Sequence, residues 1–292
     1  MAVTYRPITL STSDKEFNDV IFEYYDDFKK FMKYGNLPDF EINYITNPTD
    51  TSVAYVNLPK DNTQSYILNV RKDLLSIMGR KAIPALYHEF THIYDNEVCK
   101  YNLPHRKMYL MAYMEFHATV IQMMVATGDD YFDSNNKISL QSIIADGARE
   151  CSCKEYFESE TTSVKSLKVY TLDIKTSVNN LYNAFLYYVG KMYFAQQYIK
   201  EDTSGLFSLE SFINMFGEYA TMLKMALFEN KTTERHFFIE GEFQSKMIDY
   251  FVNKYDEPSL DDLIACAESR KRPSTNYNKP KPEQRSRGER QR

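Results

Sequence analysis

The chain has 292 residues with 43% hydrophobic content and only nine Gly, enough apolar material for a sizeable core and too little Gly for a fold rich in tight hairpins. The formal net charge of −5 is uneven, because Arg270–Arg292 carries nine Lys/Arg against two Glu and leaves the rest at −12. An acidic body excludes nucleic-acid binding by general electrostatic attraction.

The N-terminus, MAVTYRPITLSTSDKE, has no basic stretch followed by an apolar one, so no signal peptide is expected. No run of about 18 apolar residues occurs, so no membrane span is expected, and the chain reads as cytoplasmic. Ser13-Asp-Lys-Glu16 predicts a capping box, followed by a helix over 13–34 with Phe17, Ile21, Tyr24, Phe28 and Phe31 on one face and Gly35 as its C-cap. Phe40–Ile45, Ser52–Leu58 and Ser65–Val70 predict a small three-stranded sheet, antiparallel at least in part, with turns at 47–50 and 60–62. Lys72–Met78 reads as a short helix stopped by Gly79. Pro84 opens the next helix, which runs to about Cys99, and Pro104 precedes another from about His105 to Ala126. A polar loop follows, then helices near 139–150, 174–199, 208–229 and 240–254. From about Arg270 the chain is polar and Pro-bearing and reads as a disordered, solubilising tail; contact of that tail with RNA, DNA or an acidic surface is the other reading. Cys99, Cys151, Cys153 and Cys266 form no zinc-knuckle pattern and read as reduced thiols.

The chemistry is concentrated at His88-Glu89-Phe90-Thr91-His92. On an α-helix, residues four apart lie within about 40° of each other, so both imidazoles can share one Zn²⁺. Glu89 is offset enough to reach a water on the metal without taking a metal position, which suits a general base. Solvated histidines on a surface helix are the plain alternative. A catalytic zinc needs a third protein ligand and one open position. Glu115, in Tyr113-Met-Glu-Phe-His-Ala118 on the following helix, is the best candidate, since a carboxylate among Leu110, Met111, Met114 and Phe116 is costly unless paired or metal-bound. Asp95 reads either as support for a ligand imidazole or as a surface carboxylate, and His117 as packing or support. An oxyanion donor is also required; His236, Tyr113 and several Tyr within 156–194 qualify by type, and no single Tyr stands out among 24.

His88-Glu89-Phe90-Thr91-His92 followed by Glu115 on a second helix resembles the zincin metallopeptidases, and within them the gluzincins. The resemblance covers roughly residues 40–126. It implies one Zn²⁺ held by His88, His92 and Glu115, a zinc-bound water activated by Glu89, and attack on the amide carbonyl of a protein or peptide substrate. It also implies an edge strand that pairs with substrate in extended form, for which Ser65–Val70 is the candidate. More closely, Glu115-Phe-His-Ala118 is similar to the Glu-x-x-Ala of compact intracellular zincins of the ImmA/IrrE type. The chain departs from that type in lacking a helix-turn-helix segment and in a larger 140–255 region. Val98, six positions after His92, disfavours a metzincin.

The expectation is therefore an α+β, mostly helical chain. Residues 1–136 form a zincin-like core with the N-terminal helix, small sheet and motif helix; 137–256 form a helical C-terminal subdomain walling the site; 257–292 form the basic tail. The expected activity is zinc metallopeptidase, with Glu89 and His236 as catalytic residues. The alternative is a non-catalytic, metal-stabilised structural or regulatory protein of a phage or mobile element.

Overall fold

The N-terminal helix α1 (Asp14–Phe31) begins at the expected capping box: Glu16 N donates to Ser13 Oγ, and Ser13 N donates to the Glu16 carboxylate. The computed structural model describes residues 5–7, 9, 11–47, 50, 52–59, 63–102, 111–128, 137–147, 149–165, 174–229 and 234–255. Helix α1 ends at Met32 rather than at Gly35. Lys33 takes the left-handed turn (φ 54°), and Tyr34 N closes back on Lys29 O at 3.0 Å. This is a Schellman-type ending, and a non-Gly residue holds it at a cost of about 1–2 kcal/mol.

The buried stripe of α1 (Phe17, Ile21, Tyr24, Tyr25, Phe28) faces strand β1 (Phe40–Tyr44) and helix α3 (Ile83–Asn102). Phe90 anchors this contact, its ring lying 5.0 Å from Tyr25, 5.6 Å from Phe28 and 5.8 Å from Phe40. Each such ring taken out of water stabilises the fold by about 1.5–3 kcal/mol. Phe90 lies between the two motif histidines in sequence, so the packing that seats α3 also sets which way its polar face looks.

The sheet has the order β1-β3-β2, with β2 at Ala54–Asn57 and β3 at Tyr66–Val70; β1 runs parallel to β3 and β2 antiparallel. The segment Ser65–Val70 is therefore the central strand, not an edge. Its burial explains the difference: Tyr66, Leu68, Asn69 and Val70 are all buried, as a strand covered on both faces requires. Asn69 is satisfied there by Asn43 Nδ2, which donates to its Oδ1 at 2.7 Å, and by donating to Tyr55 O. The exposed edge facing α3 is β2.

Helix α2 (Lys72–Met78) stops at Gly79, which adopts φ 56°, and a 3₁₀ turn over Gly79–Ala82 leads into α3. Helix α4 is described from Met111 to Ala126 and packs on α3; His105–Leu110 lies outside the described residues. The helix expected near 139–150 is instead an antiparallel hairpin, β4 (Ile143–Asp146) with β5 (Arg149–Ser152). Asp146 pairs with Arg149 across the turn, and Gly147, the first residue after β4, adopts φ 58°, a conformation suited to a tight turn led by glycine and foreign to a helix. A helix absent from the sequence reading follows: α5 (Cys153–Lys165) opens with a second capping box, Ser152 to Glu155. Helix α6 (Ile174–Tyr198) matches its expected span, whereas 208–229 divides at Gly217 (φ 63°) into α7 (Glu210–Phe216) and α8 (Glu218–Phe228). Helix α9 (Glu234–Tyr255) starts earlier than expected.

The fold is α+β and mostly helical, with a small sheet near the N-terminus and a helical C-terminal half. Met1–Phe251 forms one compact unit; of Val252–Arg292 only the last residues of α9 are described, so the expected basic tail lies outside the described residues. Among the described residues no helix is long and apolar enough to cross a membrane.

Candidate metal centre

One face of α3 buries Leu86, Phe90 and Ile93 in the core, and the other presents His88 and His92. The imidazoles stand one turn apart with ring centroids 4.8 Å from each other and planes nearly perpendicular. His88, Glu89 and His92 each offer a donor atom within 4.8 Å of the others, a grouping able to hold a metal ion. Helix α4 brings Glu115 opposite: its Oε2 lies 3.3 Å from His88 Nε2 and 3.7 Å from His92 Nε2.

Two carboxylates thus flank the histidines, and their environments differ. Glu89 Oε2 accepts a hydrogen bond from the Val56 N–H of edge strand β2 at 2.8 Å. Glu115 Oε2 is buried and accepts no hydrogen bond. A buried, unpartnered carboxylate oxygen facing two imidazole nitrogens is costly as it stands and fits a position meant for a cation. Two ring nitrogens and one carboxylate oxygen also match the donor types of a catalytic zinc site. The residues present therefore fit a metal, with Glu115 better suited than Glu89 to complete the set.

The electrostatics follow from this arrangement. Burial pushes the Glu89 carboxyl up to about 7 and pushes the His92 imidazole down to about 4. Burial acts against charge on Glu115 as well, but the facing His88 and His92 rings outweigh it and hold Glu115 down to about 2. His88 rises despite its burial, because Glu115 and Glu89 favour its charged form.

Around this centre the structure adds groups that spacing alone did not single out. The Tyr187 phenol on α6 stands by the Glu115 carboxylate and favours its charged form, and its ring is edge-on to His88 with centroids 5.8 Å apart. Gln122, two turns beyond Glu115 on α4, takes His88 Nδ1 at 2.9 Å on its Oε1. Its amide donates in turn to Asp146 of the hairpin. The position of Gln122, seven residues after Glu115 and so on the same helix face, was a usable signal; Asp146 offered none beyond its turn. Asp95 is buried rather than on the surface, and it supports His117 instead of a motif histidine: Asp95 Oδ1 lies 2.8 Å from His117 Nδ1. Tyr113 packs on the His117 ring at 5.5 Å. His236 falls in α9 where side chains lie outside the described residues, as does the side chain of Cys99. No protein-family model matches the chain, and neither does any curated protein or solved structure, so the reading of this site rests on its own geometry.

Proposed function

We propose that the chain is a zinc-dependent metallopeptidase of the gluzincin kind, resembling compact intracellular zincins, that hydrolyses peptide bonds. The observation that carries the reading is the approach of His88 Nε2 and His92 Nε2 to a buried, unpartnered Glu115 Oε2, with Glu89 beside them on the same helix. His88, His92 and Glu115 would hold one Zn²⁺, which supplies Lewis acidity toward a water and a substrate carbonyl.

The chain's own residues account for the rest. Glu89, with its carboxyl raised by burial to about 7, is placed to take a proton from water and return it to the departing amine. Its bond to Val56 N–H fixes the carboxylate against the edge of β2. Tyr187 keeps its proton because burial pushes the phenol up, so it remains a hydrogen-bond donor for negative charge developing on the carbonyl oxygen. This assigns to Tyr187 the oxyanion role for which His236 and other tyrosines qualified only by type.

The test combines metal quantitation with turnover of a casein-like substrate. Wild type and Glu89→Gln should each hold one zinc per chain, while His92→Ala and Glu115→Ala should lose it. Glu89→Gln should abolish turnover. Full turnover by Glu89→Gln would overturn the mechanism; zinc retained in wild type without any hydrolysis would favour the non-catalytic, metal-stabilised alternative.

A further inference from the structure

The hairpin and its neighbours form a chain of hydrogen bonds that ends on a motif histidine. Tyr156 OH on α5 donates to Asp146 Oδ2 at 2.8 Å. Gln122 Nε2 on α4 donates to Asp146 Oδ1 at 3.0 Å. Gln122 Oε1 faces His88 Nδ1 at 2.9 Å. The polarity of this chain is forced from its far end. A carboxylate only accepts, so the Gln122 NH₂ must face Asp146 and its carbonyl oxygen must face His88. A carbonyl oxygen only accepts, so His88 Nδ1 must carry the proton. That leaves His88 Nε2, the nitrogen 3.3 Å from Glu115 Oε2, as the one with a free lone pair in the neutral ring.

The far end is itself clamped. Glu160 of α5 pairs with Lys191 of α6 at 2.7 Å and with Arg149 of β5 at 2.6 Å. Both cations lie over the Tyr156 ring, Lys191 at 5.2 Å and Arg149 at 5.6 Å from its centroid. Tyr156 is buried, so its hydroxyl has a fixed direction. The hairpin is tied down a second time where Gly147 N donates to Lys81 O at 2.8 Å, immediately before α3.

We infer that Gln122, Asp146 and Tyr156 are positioning residues that select the Nδ1–H tautomer of His88 and so present its Nε2 for metal binding. The inference rests on the metal-centre reading for its purpose, but the tautomer it assigns is a property of the metal-free protein. Supporting groups of this kind commonly change metal affinity 10- to 100-fold when removed.

Two measurements on the full chain test it. The first is ¹⁵N NMR of histidine-labelled, metal-free protein at a pH where the rings are neutral. His88 should carry its proton on Nδ1 in wild type, and finding it on Nε2 overturns the inference whether or not the protein binds zinc. The second is Zn²⁺ affinity by competition with a chelator. Asp146→Ala and Gln122→Leu should each weaken zinc about 10- to 100-fold. Gln122→Glu alone sets two carboxylates against each other and should also weaken it. The double variant Gln122→Glu/Asp146→Asn keeps an acceptor toward His88, a donor toward residue 122 and an acceptor for Tyr156, and should return affinity to within a few-fold of wild type. Equal affinity in all variants, or a double variant no better than Gln122→Glu, overturns the relay. Should Asp146→Ala fail to fold, the double variant, which retains every bond, carries the comparison. Absence of zinc from wild type refutes the metal-centre reading instead, and the tautomer measurement then decides the relay alone.

Discussion

Tyr187 shows how much of a site depends on a single atom. Its ring packs edge-on to His88, and its phenol favours the charged form of Glu115. Tyr187→Phe keeps the packing and removes the donor, so zinc stoichiometry should hold while turnover falls about 10²- to 10³-fold, the usual loss for one oxyanion donor. A loss of zinc as large as the loss of turnover would assign the hydroxyl to holding Glu115 instead. The motif histidines were legible in the sequence because four-residue spacing is a relation within one helix and survives any tertiary arrangement. Glu115 was legible for a different reason: among Met111, Met114 and Phe116 an ionised side chain needs a partner, so its residue type alone pointed inward. Tyr187 was not legible, since its partner sits on another helix and 24 tyrosines compete for the role. The role of Asp95 stays open in the sequence for the same reason: its spacing from His92 suits either support of a ligand imidazole or a surface position, and the imidazole it meets is His117 on α4.

At the scale of elements the site depends on how closely α6 approaches α4. A Cβ placed on Gly190 would lie 2.8 Å from Thr119 Cβ and 3.0 Å from the Phe116 carbonyl oxygen. Thr119 is one turn after Glu115 and Gly190 is three residues after Tyr187, so the close contact that needs a glycine also brings phenol and carboxylate together. Helix propensity favours Ala over Gly by about 1 kcal/mol. Here both obstructing atoms are held by backbone, and the clash should win: Gly190→Ala should cost about 1–3 kcal/mol in urea unfolding. Gly241 on α9 has no atom within 4 Å of such a Cβ, and there Gly→Ala should stabilise by up to about 1 kcal/mol. Equal effects at the two positions would remove the packing argument. The hairpin at 143–152 marks the limit of pattern reading at this scale. Its apolar residues suit a helix, but Asp146-Gly147 is a turn signal, and Ser152-x-x-Glu155 repeats the capping box already recognised at Ser13. Read together, those two local signals would have replaced the expected helix with a strand pair and a helix start.

Across the whole molecule, α9 closes on the layer that carries the site through one buried carboxyl. Glu240 is 2% exposed, and its Oε1 accepts from Ala112 N at 3.2 Å, Tyr182 OH at 2.7 Å and Gln244 Nε2 at 3.0 Å. Ala112 lies three residues before Glu115, so this contact joins the C-terminal helix to the part of α4 that bears the third candidate ligand. Burial pushes Glu240 up to about 8, and the three donors only partly offset that cost. The folded carboxyl therefore keeps its proton across a range where the unfolded chain, near its ordinary value of 4.5, has released it. A raised folded value gives stability that is full below about 4.5 and is lost as pH rises toward about 8, at up to about 1.4 kcal/mol per pH unit. Glu240→Gln is neutral at every pH and can still accept from Ala112 and Tyr182. Urea unfolding of both proteins between about pH 5 and about pH 8 should show the variant gaining on wild type as pH rises. The sign is opposite to that of a surface ion pair, whose carboxylate gains its partner as pH rises from acid. A difference between the two proteins that stays constant over this range would mean that Glu240 ionises in the folded chain as it does in the unfolded one, its three donors offsetting the burial in full.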